Sequence, residues 1–137
     1  MTVDGRVTGE IGAGALVLLG VSTDDKSADA DYLVDKIINL RIFEDADGKM
    51  NLSLLDTRGS LVVVSQFTLY GDTRRGRRPS FITAANGPDA VKWYEYFVAR
   101  SRASVEQVET GEFGAMMDVE LVNDGPVTII LDSEKTI

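Results

Sequence analysis

The amino-acid sequence predicts a β-rich mixed α/β domain, a mixed sheet with two helices packed on one side. Three observations predict it. Two apolar runs, Ala15 to Val21 and Leu61 to Val64, have the length and β-branching of buried strands. Two longer segments carry apolar residues at helical spacing, and each lies between strand-like stretches. Turn signals such as Asp4-Gly5 and Asn123-Asp124-Gly125-Pro126 punctuate the rest.

The elements follow in order. Asp4-Gly5 between Val3 and Arg6 is the signature of a tight hairpin turn. Its arms are Met1 to Val3 and Arg6 to Ile11, so the first arm is either clipped or a naturally short edge strand. After the strand Ala15 to Val21, Ser27 to Leu40 reads as a helix. Ser27 serves as N-cap, Asp29 and Asp31 suit the positive helix start, and Leu33, Ile37 and Leu40 line one face. Ile42 and Phe43 open a strand, Asp45 to Gly48 is a turn, and Met50, Leu52 and Leu54 alternate with polar residues. Gly59 to Leu69 holds the central strand. An arginine-rich loop follows, Gly71 to Ser80. Pro88 to Arg102 is the second helix, with Pro88 in its first turn. Val105 to Val108, Met116 to Val122 and Val127 to Leu131 read as strands, and Asp132 to Ile137 is a tail. No repeat, linker or low-complexity tract divides the chain, so residues 1–137 are expected to form one domain.

Composition narrows the chemistry. The chain has 137 residues, 44% hydrophobic and 26% charged, with no cysteine and no histidine. A chain of this size buries roughly two-thirds of its unfolded surface without disulfides. A Cys/His zinc site and a Ser-His-Asp or Cys-His relay within the chain are excluded. The net charge of −8 disfavours a general nucleic-acid binder. Yet four of the nine arginines, Arg74, Arg75, Arg77 and Arg78, crowd one loop, which is either a solvated charge run on an acidic protein or, the favoured reading, a focused phosphate contact. No signal peptide and no membrane-length apolar run is present, which points to the cytoplasm.

Three look-alikes fail. Asp45-Ala46-Asp47-Gly48 begins like a calcium loop, but the glycine comes early and the bidentate glutamate is missing. Gly71 to Gly76 has phosphate-loop glycine spacing, but Arg77-Arg78 follows instead of Lys-Ser or Lys-Thr. Asn51-Leu52-Ser53 is a glycosylation sequon by letter only. More telling are Ser65, Gln66 and Thr68 at the end of the central strand, where α/β sheets place sites. Strand alternation puts Gln66 and Thr68 on one face and Ser65 and Phe67 on the other. Thr68 has no histidine to activate it, so backbone N–H groups are the better candidates for an oxyanion.

The strings SQFTL (Ser65 to Leu69), RRPSF (Arg77 to Phe81), TGEFGAMM (Thr110 to Met117) and LVNDGPVT (Leu121 to Thr128) span the chain in order, with VTGEIGAG before them. Together they closely resemble the D-aminoacyl-tRNA deacylase family. The resemblance implies a barrel-like β-rich domain that dimerises with a second copy. The implied activity is hydrolysis of the ester joining a D-amino acid, or glycine, to the 3′-terminal adenosine of tRNA. No metal, cofactor or membrane is implied.

Residue by residue, Gly125 and Pro126 match the family's chirality filter, a cis Gly-Pro pair whose carbonyls enter the partner's pocket and leave no room for an L side chain. Ser65, Gln66, Phe67 and Thr68 match the stretch lining the ester, where the substrate's own 2′-hydroxyl assists water. Phe113, Gly114, Ala115 and Met117 match the terminal adenine's pocket. The arginine loop, with Arg77 and Arg78, is expected to contact phosphate. Family members begin earlier, with a strand ending in a Gln-Arg-Val-type sequence that helps to fix the Gly-Pro pair. A truncated first strand is therefore expected here, and with it the alternative of an inactive tRNA-end-binding or dimerisation module. A weaker alternative is an esterase of small D-amino-acid esters.

Overall fold

The computed structural model describes all residues, Met1 to Ile137. Its centre is a parallel three-stranded sheet in the order β3 (Gly14–Leu19), β6 (Ser60–Ser65), β7 (Val108–Thr110). Parallel neighbours need long crossovers, and helices supply both. Between β3 and β6 run α1 (Ser27–Asn39), β4 (Phe43–Glu44), β5 (Met50–Leu52) and α2 (Leu54–Thr57); between β6 and β7 runs α3 (Gly87–Arg102). The two remaining sheets are antiparallel pairs, β1 (Thr2–Val3) with β2 (Arg6–Val7) and β4 with β5.

The central strand is buried because its residues leave it no alternative. Leu61 and Val63 are fully buried and share a core cluster with Ala30, Val34 and Ile38 of α1 and Tyr94, Phe97 and Val98 of α3. Val62 and Val64 are buried on the opposite face, so both faces of β6 are covered, as parallel strands require. Tyr94 reaches across the core to donate its hydroxyl proton to the Val63 carbonyl oxygen at 2.8 Å. Burial of a tyrosine is tolerated when its hydroxyl finds such a partner.

Several sequence expectations shift. The Asp4-Gly5 turn is present, with φ of 51° and 78°, but β2 ends at Val7, not Ile11. The N-cap of α1 is Lys26, not Ser27; the Lys26 N–H donates to the Asp29 carboxylate at 2.9 Å. Leu54 does not continue an alternating strand but opens α2. There Ser53 Oγ accepts from the Asp56 N–H and Asp56 Oδ2 accepts from the Ser53 N–H, a reciprocal capping box. The central strand stops at Ser65, and Phe67–Tyr70 is a 3₁₀ helix. The short strand expected at Val105 to Val108 lies instead at Val108–Thr110.

Met116 to Val122 and Val127 to Leu131 form no strand. Only an isolated Thr2–Asp118 bridge joins the first of them to β1, through two bonds of 2.9 Å. The reason is pairing. A strand needs a neighbour along its edge, and an apolar groove lies between the outer side of β3 and residues 119–131. Val122, Ile129 and Ile130 consequently stay exposed.

No helix is long and apolar enough to cross a membrane. Phe97, at 1% exposure, is the largest fully buried side chain. Phe97→Ala should destabilise the fold by about 3–5 kcal/mol, read as a lower denaturant midpoint at unchanged slope.

Candidate functional site

The end of β6 is a candidate site because its backbone changes course there. The Gln66 N–H donates to the Leu19 carbonyl oxygen at 2.8 Å, which ties the residue after the strand to the end of β3. The chain then turns into the 3₁₀ helix: the Leu69 N–H donates to Gln66 O at 3.2 Å, and the Gly71 N–H to Thr68 O at 3.0 Å. In such a turn the N–H groups of Phe67 and Thr68 precede the first i→i+3 bond, so neither is used by the helix.

This geometry corrects the strand-face expectation. Gln66 and Thr68 do come together, but through a hydrogen bond from Gln66 Nε2 to Thr68 Oγ1 and not through strand alternation. Phe67 and Thr68 are exposed, and Phe67 packs edge-on against Phe81 at 5.1 Å between ring centres. No ionisable side chain hydrogen-bonds to Ser65, Gln66, Phe67 or Thr68. Among the flanking residues, Tyr70 is the titratable one. Its burial, with the Asp25 and Asp132 charges, pushes its hydroxyl above the ordinary tyrosine range. It is protonated at neutral pH and is no general base.

The Gly125–Pro126 bond is cis, and Gly125 sits at φ of 126°. Sequence reasoning missed what holds this loop. Asn123 Oδ1 accepts from the Val127 N–H at 3.1 Å, and Asn123 Nδ2 donates to Thr128 Oγ1 at 3.0 Å. The available signal was the short amide side chain opening a turn. Within one chain no hydrogen bond joins this loop to Ser65–Thr68.

Phe113 tilts against Tyr94 at 5.7 Å between ring centres, so part of its ring completes the core. Gly114 takes a positive φ of 78°. The Ala115 N–H donates to Glu112 O at 3.2 Å, and Met117 Sδ accepts from the Glu112 N–H at 3.4 Å. These four residues thus form one folded turn beside β7.

The arginine loop is exposed from Thr73 to Ser80. Arg77 and Arg78 make no contact with any carboxylate, whereas Arg74 forks onto Asp72, with Nε to Oδ1 at 2.9 Å and Nη2 to Oδ2 at 2.7 Å. Those bonds hold the Asp72 carboxyl down at about 2. No group of three or more His, Cys, Asp or Glu side chains converges to hold a metal ion.

A carboxyl depressed in the folded state favours folding above its ordinary value, and that contribution fades as pH falls toward 2. The Asp72–Arg74 pair should therefore stay intact through neutral pH and down to about 4. Carbon-detected NMR should place the Asp72 midpoint at about 2, and Arg74→Gln should return it toward the ordinary carboxylate range.

The family described as D-Tyr-tRNA(Tyr) deacylase matches residues 1–132 of the chain. The D-aminoacyl-tRNA deacylase of Clostridium kluyveri is 59% identical over 133 residues, 97% of this chain and 89% of that protein. The Clostridioides difficile enzyme of the same name is 60% identical, covering 99% of this chain and 91% of that protein. Among solved structures, a protein described as c-Myc DNA unwinding element binding protein superposes with a TM-score of 0.88 at 40% identity, over 93% of this chain and 87% of that one. A probable eukaryotic D-amino acid tRNA deacylase shares the fold, with a TM-score of 0.67 at 16% identity over 77% of each chain. With nearly its whole length matched at this identity, the chain belongs to the D-aminoacyl-tRNA deacylase family of ester hydrolases.

Proposed function

We propose that the chain hydrolyses the ester of D-aminoacyl-tRNA with backbone dipoles and substrate groups in place of a side-chain base. The observation that carries this reading is the surroundings of Thr68. Its Oγ1 accepts a hydrogen bond from the Gln66 side-chain amide, and no ionisable group is within hydrogen-bond reach. A hydroxyl held as an acceptor, with no base, is a poor nucleophile. In this reading Gln66 and Thr68 orient the ester beside Ser65. The spare N–H groups of Phe67 and Thr68 stabilise the oxyanion, and the 2′-hydroxyl of the terminal adenosine assists attack by water.

Gly125 and Pro126 from a second copy act as the chirality filter, and a homodimer is therefore part of the proposal. Steric rejection of the L side chain gives stronger discrimination than a methylene-sized preference would. Achiral glycyl-tRNA passes the same filter. Phe113, Gly114, Ala115 and Met117 border the adenine, and Arg77 and Arg78 meet phosphate. A cytoplasmic location suits this substrate.

The deciding assay compares hydrolysis of D-tyrosyl-tRNA and L-tyrosyl-tRNA by this chain. The D ester alone should be cleaved; equal rates would defeat the reading, and no turnover with retained tRNA binding would favour the inactive module. Thr68→Ala should lower kcat about tenfold, the scale of one lost positioning hydrogen bond, whereas a threonine nucleophile would cost about 10⁴-fold or more. Gly125→Ala places a Cβ 2.9 Å from Val127 Cγ2 at a φ that alanine rarely adopts. Activity on D-tyrosyl-tRNA should fall by at least about tenfold, since a sub-ångström shift of a positioning group has that effect.

A further inference from the structure

We propose that Asp72 is a positioning residue, whose grip on Arg74 shapes the loop so that Arg75, Arg77 and Arg78 together clamp the phosphate backbone at the tRNA's single-stranded acceptor end. The inference rests on the reading of tRNA as substrate and extends it to how the chain holds that substrate.

The loop is built from its root. Asp72 and Ser80 exchange both backbone bonds, at 2.7 and 2.9 Å, which closes the loop as a bridge. Inside it the Asp72 carboxylate accepts three bonds from Arg74: from the backbone N–H at 3.0 Å, from Nε at 2.9 Å and from Nη2 at 2.7 Å. A forked guanidinium–carboxylate pair of this type fixes direction as well as distance. Gly76, at φ of 69°, turns the tip in open space. Arg74 thus belongs to the scaffold, and its charge is cancelled within the loop.

The other arginines of the chain locate the free charge. Arg6 pairs with Glu112 and Arg100 with Asp31. Arg41 and Arg102 donate to Asn51 and to the Val108 carbonyl. That leaves Arg58, Arg75, Arg77 and Arg78 with no hydrogen-bond or ion-pair partner. Three of these four stand in one exposed loop that contains no acidic residue after Asp72. On a chain of net charge −8, this is the one place where several unpaid guanidiniums can meet an anion together.

The loop is also coupled to the ester-binding turn. It leaves that turn directly, with the Gly71 N–H on Thr68 O at 3.0 Å, and at its far end Phe81 packs on Phe67. A phosphate backbone held here lies beside Ser65–Thr68 and not across a separate face.

The experiment measures affinity for uncharged tRNA, and KM and kcat for D-tyrosyl-tRNA, between about 50 and 200 mM salt. The proteins compared are the unaltered chain, R75Q/R77Q/R78Q, Asp72→Asn and, as a charge control, Lys49→Gln on the exposed turn before β5. Removing three single-strand phosphate contacts should lower the slope of log affinity against log salt by about 2 and weaken binding at least tenfold, while Lys49→Gln changes neither.

Asp72→Asn decides the positioning role by its sign. Deleting an acidic charge beside an anion site should tighten binding if only charge matters. Loss of the brace should instead raise KM several-fold at unchanged kcat. A KM that stays level or falls overturns the role of Asp72, and an unchanged salt slope in the triple variant overturns the clamp. Absent hydrolysis with arginine-dependent tRNA binding would defeat the proposed reaction and leave the clamp standing.

Discussion

The position of β6 under α3 and between two parallel neighbours is the constraint on which the site depends. Leu61 and Val63 face the helices and are fully buried. Register in such a strand is strict, because a slip of one residue would turn Val62 and Val64 toward the helices and reverse every side chain after them. It would also break the Tyr94 bond to Val63 and the tie from Gln66 to Leu19. The turn that carries Thr68 would then open from a different residue. Packing in the core thus sets which N–H groups this turn leaves free.

From that placement follows a site without a titrating side chain. Acidic groups are plentiful in the chain, yet none bonds to Ser65–Thr68, and the neighbouring Tyr70 is held protonated by burial and by Asp25 and Asp132. Preorganised dipoles need no proton and no reorganisation as charge develops, which is the main advantage of such a site. A nearby carboxylate would oppose a developing oxyanion.

Much of this was legible in the sequence, and the rest was hidden for identifiable reasons. Both long helices and the two central strands announced themselves by period and β-branching, and Asp4-Gly5 marked its hairpin. Leu54 misled because it extends the Met50–Leu52 alternation, although Ser53 and Asp56 carried the capping signal that wins. Phe67 and Leu69 look like strand residues; only their exposure in three dimensions shows that the buried strand ends first. The apolar stretch at Val127 to Leu131 has strand propensity but no partner along its edge, and pairing is a tertiary property that a propensity cannot supply. The site motifs were visible as strings, but their braces, Asn123 and Asp72, were not, because a hydrogen bond from a short polar side chain leaves no period to detect.

Those braces share one physical solution. Exposed loops have no core to hold them, so their shape must come from local bonds, each of about 1 kcal/mol, or more where a charge takes part. Asn123 grips the backbone and a hydroxyl across its loop, and Asp72 grips Arg74 within its own. The choice of side chain follows the task. In the proposed reading the Gly125–Pro126 loop presents backbone carbonyls, and it is braced by a neutral amide, which adds a dipole but no net charge. A loop that must present cations can be braced by a carboxylate, provided one guanidinium is given up to it. With Arg74 bound, Asp72 has no remaining claim on Arg75, Arg77 or Arg78, and no other acidic residue lies within the loop to compete with an incoming phosphate.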